Sequence, residues 1–418
     1  MKTHMDATPY RANCFHQTMR ELRFRADAET PADLFSQACV EQFEASPMAQ
    51  YGYLFAQVFE PYVLTEIAEL EGIDSARLAA LEVGDGTAMA RLREGIAARA
   101  DMTPVEAVNV AAALISISRF DLADVMLDAA GRHGTSHRDR FEIAMLRFVA
   151  DNRRADREGM RRGLQEMRRL IETGPLHAER QIDAASQAVV WHLKAKIMPQ
   201  ADFDWFVTLG QRIAEDGRAD SGALSSWYRA VAMVPAAKGD KQTTREMMLA
   251  ARHAADRSMQ ARPNAYETHF LKTYLESTLK EHMYVTRDYA AAIAEGHALI
   301  ALDPAWSVSY GEMAEMHLHF GAPDAAAEYF LRAARCGPPY LGHHLFSAAQ
   351  CHEAVGEPAA AMALYAELLE RAPGNPAVIV SGARLAARTG DLRQAIFGRE
   401  LDRVRTALGP QHLEHLEA

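Results

Sequence analysis

Hydrophobic and small residues in the C-terminal third recur with a period near thirty-five. Reading from Gly321, the ladder is Gly321, Ala326, Phe330, Ala333 and Pro338. Thirty-five residues on it reads Gly356, Ala361, Tyr365, Leu368 and Pro373. A period of this size marks a stacked helical repeat. Each unit reads as two helices with a break at glycine between them and a proline to end them. In the first unit the spacing predicts a helix over 307–320, with Tyr310, Met313, Ala314 and His317 on one face. Gly321 supplies the positive φ that closes it, and Pro323 opens the next helix, where a missing N–H costs nothing. Ala314 and Ala326 let two helices approach closely, and Phe330 fills the wider gap beside them.

Upstream the same ladder is looser. A hydroxyl, proline and acid at Thr30-Pro31-Ala32-Asp33 predict a helix start, with helices over 32–45 and 48–70. The second is dense in aromatics and reads as a core helix. Thr103-Pro104-Val105-Glu106 is a capping box, leading to a hairpin over 105–118 and 122–133. Further helices are predicted at 136–151, 156–173, 177–195, 202–216, 223–238, 241–255, 264–280 and 288–302. The last pair, 377–388 and 392–408, carries Arg399 where earlier units carry an aromatic, giving the polar outer face of a terminal cap. The expected division is an irregular helical region at 1–102, degenerate hairpins at 103–263, and a regular array with a capping helix at 264–418.

The spaced pattern of small and large residues resembles the tetratricopeptide repeat (TPR) family. Its roughly 34-residue pattern is matched at the second-helix alanine and aromatic positions and at the terminal proline. Tyr310 and Ala314 stand where the family has Trp and Gly. The resemblance implies an all-α fold, a right-handed α-solenoid of stacked antiparallel hairpins. It also implies a concave groove lined by first helices, which binds proteins or peptides. In the family's register the groove positions are Tyr274, Ser277, Glu281 and Tyr284, then Glu315 and His319. The following units add His343, Phe346, Gln350 and Glu353, then Arg384 and Arg388. Chaperone-binding relatives clamp a carboxylate with Lys, Asn and Arg, and this chain lacks the Lys and Asn. The three carboxylates suit a peptide with a basic segment instead.

Composition adds bounds. The chain has 418 residues, more than one compact core accommodates, but a solenoid escapes that limit because each unit touches only its neighbours. A net charge of -11 argues against nucleic acid as a partner. Cys14, Cys39, Cys336 and Cys351 form no CxxC pair, and no apolar run spans a bilayer. Together these point to a cytoplasmic, reduced protein without membrane contact.

Candidate chemistry is sparse. Leu81-Glu82-Val83-Gly84-Asp85-Gly86-Thr87 resembles the first motif of S-adenosylmethionine methyltransferases, but no βαβ alternation follows, so it reads as a loop between helices. The late histidines lack HExxH spacing, and no metal or cofactor is called for. Arginines crowd 153–169 with acids interleaved, the pattern of a solvated, salt-bridged helix. The reading is a non-enzymatic adaptor, regulator or inhibitor. The alternative is an enzyme or small-molecule binder with a pocket made by the irregular N-terminal half. Self-association through solenoid ends is a third course.

Overall fold

The computed structural model describes residues 99–104, parts of 107–115, 120–132, 136–153, 156–261, 265–302, 304, 307–335, 341–371 and 375–404. The expected helices at 32–45 and 48–70, the glycine motif at 81–87 and Cys14, Cys39 and Cys336 lie outside them, as do Pro338 and Pro373. The described residues are all-α, and no strand occurs among them. They fall into two compact units, up to Leu302 and from Asp303 onward.

The first unit holds α1 (Phe120–Arg132), α2 (His137–Arg153), α3 (Arg157–Thr173), α4 (Ala178–Ala195) and α5 (Gln200–Glu215). It continues through α6 (Ser221–Ala237), α7 (Lys241–Ala261), α8 (Ala265–Glu281) and α9 (Tyr289–Leu302). Sequence neighbours pack as hairpins, and α4 also packs on α6 and α6 on α8, the stacking of first helices that a repeat array requires. The 263/264 boundary expected from pattern falls between α7 and α8, which pack on each other. Helix starts follow capping chemistry. Asp156 accepts from the Gly159 amide at 2.9 Å and Asp220 from that of Ala223 at 2.8 Å.

Two packing features were not legible in the period. Gly210 leaves room for the Trp227 ring; a Cβ there would lie 2.4 Å from the indole edge. Arg180 and Glu142, both almost fully buried, join α4 to α2 through Nε–Oε1 and Nη2–Oε2 contacts of 2.8 and 2.5 Å. Asp183 accepts a third contact from Arg180 at 3.0 Å. This pairing satisfies charges that burial would otherwise make expensive.

Among the described residues the second unit holds three hairpins: α10 (Ser307–His319) with α11 (Pro323–Arg335), α12 (Leu341–Ala354) with α13 (Pro358–Arg371), and α14 (Pro376–Thr389) with α15 (Gln394–Val404). Each second helix also packs on the following first helix, α11 on α12 and α13 on α14. Gly321 and Gly356 both sit at φ 79°, as the chain reversal demands. The seams are the expected ones. Ala314, Ala326, Ala327, Phe330, Ala348 and Cys351 form one cluster across α10, α11 and α12. Tyr365, Leu368, Ile379, Leu385 and Phe397 belong to the next, across α13, α14 and α15. Gly382 admits Phe397, whose ring would lie 2.2 Å from a Cβ. On α15 Arg399 is exposed, and so is Ile396 at 45%; Leu392, in the turn before the helix, is 97% exposed.

Candidate functional site

The groove residues divide between the two units, and each unit treats them differently. In the first, α8 and the turn after it carry four. Tyr274 is buried among Ala232, Met248, Ala251 and Leu299, with the Arg252 guanidinium 5.5 Å over its ring. Its ring is a core element, not a surface contact. Ser277 is half-buried, donating to the Thr273 carbonyl at 2.8 Å and accepting from Arg229 at 3.1 Å. The Glu281 side chain is 2% exposed and accepts from Arg245 of α7 at 3.2 Å. Beyond it the chain widens into a π-helical turn, His282–Thr286, which ends at Arg287 in the left-handed region at φ 58°. Such turns often mark a local constraint. Here the turn holds Tyr284 outward, 60% exposed. Of the four, Tyr284 alone is a broad exposed contact surface.

In the second unit, helical spacing sets the positions one per hairpin. Glu315 of α10, Gln350 of α12 and Arg384 of α14 occupy equivalent places, and the first two are exposed. His319 is exposed at the end of α10, its ring edge-on to Phe320. His343 and Phe346 are half-buried. The Phe346 ring lies 5.7 Å from that of Tyr365 and supports the seam. Burial depresses the basicity of His343, and far more that of His344 beside it, where the His343 charge adds to the effect. Both rings therefore sit neutral near pH 7. His344 lies over Gly311, where a Cβ would be 2.9 Å from its ring, and faces Phe330 with ring centroids 6.0 Å apart.

Glu353 is the hub of this face. Its side chain is 10% exposed. Oε1 accepts from the Tyr365 hydroxyl at 2.7 Å. Oε2 accepts from Arg388 at 3.0 Å and faces Arg384 at 3.5 Å. Two guanidinium groups thus share one carboxylate, and the Arg388 side chain is 57% exposed. Burial first, and the Glu353 carboxylate second, push the Tyr365 hydroxyl far above the usual phenol range, so it stays a donor.

Sequence reasoning assigned Tyr365 to the seam alone and missed its hydroxyl. The signal was present: tyrosine stands where the preceding hairpin has Phe330, and a buried hydroxyl needs a partner. The arginine partners of Glu281 and Glu353 were also missed, because they come from other helices. On α3 the interleaved charges pair as the spacing predicts. Arg161 bonds Glu158, Arg169 bonds Glu166, and Arg168 reaches Glu172 at 3.0 Å and Asp202 of α5 at 2.6 Å.

No protein-family profile matches the chain. No curated protein matches it. Among solved structures it is similar to a crystal structure of yeast Tom70. That likeness has 11% identity and a TM-score of 0.49 over 96% of this chain and 88% of that one. No described helix is long and apolar enough to cross a membrane.

Proposed function

We propose that this chain is a TPR-like helical-repeat module that binds a protein or peptide across the exposed faces of α10, α12 and α14. The observation that carries the reading is the run of unlike side chains at one repeated position. Glu315, Gln350 and Arg384 succeed one another there, acidic, neutral and basic, with Arg388 beyond. The seams beneath them are closed, so these side chains can vary without cost to the fold. An extended partner laid across the three helices would meet a gradient of charge that sets its direction.

The gradient narrows the expected partner. Glu281 and Glu353 each already carry arginines of this chain. Glu315 is exposed, so a basic segment fits there, and an acidic side chain fits at Arg388, whose side chain is 57% exposed. The role is that of an adaptor, regulator or inhibitor in a cytoplasmic setting, with the repeat surface as its working part.

The test is affinity purification of the full chain followed by mass spectrometry, repeated with Glu315→Arg and Arg388→Glu. A single stoichiometric polypeptide partner, lost or weakened at least tenfold by either reversal, is the expected result. A partner retained equally by both variants would place binding elsewhere. Co-purification of a stoichiometric small molecule in place of a polypeptide would favour the pocket reading.

A further inference from the structure

The turn from α4 to α5, residues 196–199, is built around one imidazole. It leaves α4 at Lys196, which sits in the left-handed region at φ 52°, where glycine would be at ease. The Lys196 amide returns to the His192 carbonyl at 2.8 Å. Ile197 and Met198 are buried. Pro199 then opens α5, its carbonyl accepting from the Asp202 and Phe203 amides at 3.1 and 3.2 Å.

The His192 ring ties the two helices together. It is 4% exposed and stacks on Phe203 of α5 with ring centroids 4.5 Å apart. Its hydrogen bonds go to the Gln200 side chain and the Met198 backbone, and its Nδ1 is buried with no hydrogen-bond partner. Nε2 is therefore the bonded nitrogen. The Gln200 amide nitrogen donates to Asp204 at 2.8 Å, which leaves the Gln200 side-chain oxygen to accept from Nε2–H. This chain of bonds selects the neutral tautomer with its hydrogen on Nε2. A second proton would go to Nδ1, where no acceptor stands among the described residues, and would bring a charge into a buried place. Burial first, and the Lys196 charge second, depress the basicity of the ring; the Gln200 bond, the Asp204 charge and the Met198 carbonyl oppose them only in part. α3 and α6, which also pack on α4, add no charged group among the described residues.

We propose that His192 is an acid-operated latch on the α4–α5 turn: proton uptake at Nδ1 releases the ring from Phe203 and opens the turn while α6 and α7 stay packed. In the open turn the ring reaches water and holds its second proton at no cost. Opening therefore rises as pH falls below the ordinary histidine value of 6.5 and levels off once the closed form also titrates. Freeing the start of α5 loosens its hold on α3 as well, because Asp202 binds Arg168 at 2.6 Å and the Trp205 ring lies 4.9 Å from that guanidinium. The latch belongs to the first unit and is independent of the binding face proposed for α10, α12 and α14.

The experiment is hydrogen exchange of the full chain, read by mass spectrometry at pH 7.5 and 5.5 and corrected for the intrinsic exchange rate. Peptides covering 192–206 are expected to lose protection several-fold, up to about tenfold for one proton gained on opening. Peptides of α6 and α7 are expected to keep theirs. His192→Phe keeps an aromatic ring against Phe203 and cannot titrate. Its protection over 192–206 is expected to be equal at the two pH values, whatever its level. Wild-type protection that does not change with pH would overturn the proposal. So would a loss that persists in His192→Phe, or one spread evenly over α4 to α9, which would mean that the whole unit unfolds.

Discussion

At the scale of single residues, the tightest constraints are contacts between small residues and rings. A methyl group at Gly210 would collide with a buried indole. Gly210→Ala should therefore lower stability by about 1–3 kcal/mol despite better helix propensity, as overpacking usually does; urea denaturation measures it. His344 makes a pH prediction. Burial holds it neutral when folded, whereas the unfolded chain titrates near the ordinary 6.5. Below that value the unfolded state binds the extra proton, so stability falls as pH drops through 6.5. The loss in urea midpoint between pH 7.5 and 5.5 should shrink in His344→Leu. Cys351 is buried and its thiol is pushed up to about 11. It should resist iodoacetamide at pH 8 in the folded protein and react once urea unfolds it, which peptide mass mapping resolves.

At the scale of elements, stability rests on seams and on a few polar ties between helices. Tyr365→Phe removes a hydroxyl donated to a carboxylate that is nearly buried. The expected cost is about 1.5–3 kcal/mol, the range for hydrogen bonds to charged groups. Glu142→Ala takes the two-contact carboxylate partner from the buried Arg180, which keeps Asp183 on its own helix. Breaking one side of a buried pair costs about 3–5 kcal/mol, and a urea titration of the variant should show a loss of that size. Helix positions were largely legible in the chain. Asp156, Pro323 and Pro358 stand where helices begin, and the closing glycines stand where they end. The π-helical turn at His282–Thr286 was not legible, because apolar period sees only where a helix stops, not how its last turn widens.

At the scale of the whole molecule, two compact units imply local consequences for local damage. In a repeat array each hairpin leans only on its neighbours. Gly382→Leu, which collides with Phe397, should lower hydrogen-exchange protection in α12–α15 while α3–α5 keep theirs. The charge gradient from Glu315 to Arg388 belongs to this scale too, since it appears only when first helices are brought side by side.

The sequence by itself determined the helical class, the period of the C-terminal hairpins and the alanine and aromatic seams between them. Those features are local or periodic, and spacing along one helix dictates which side chains share a face. Tertiary structure alone decided which candidate groove residues are surface and which are core. Tyr274 and Glu281 differ from Tyr284 not in type or spacing but in what other helices set against them. Whether a polar side chain is free to meet a partner depends on the arginine that reaches it from a neighbouring helix, and no period along one helix records that.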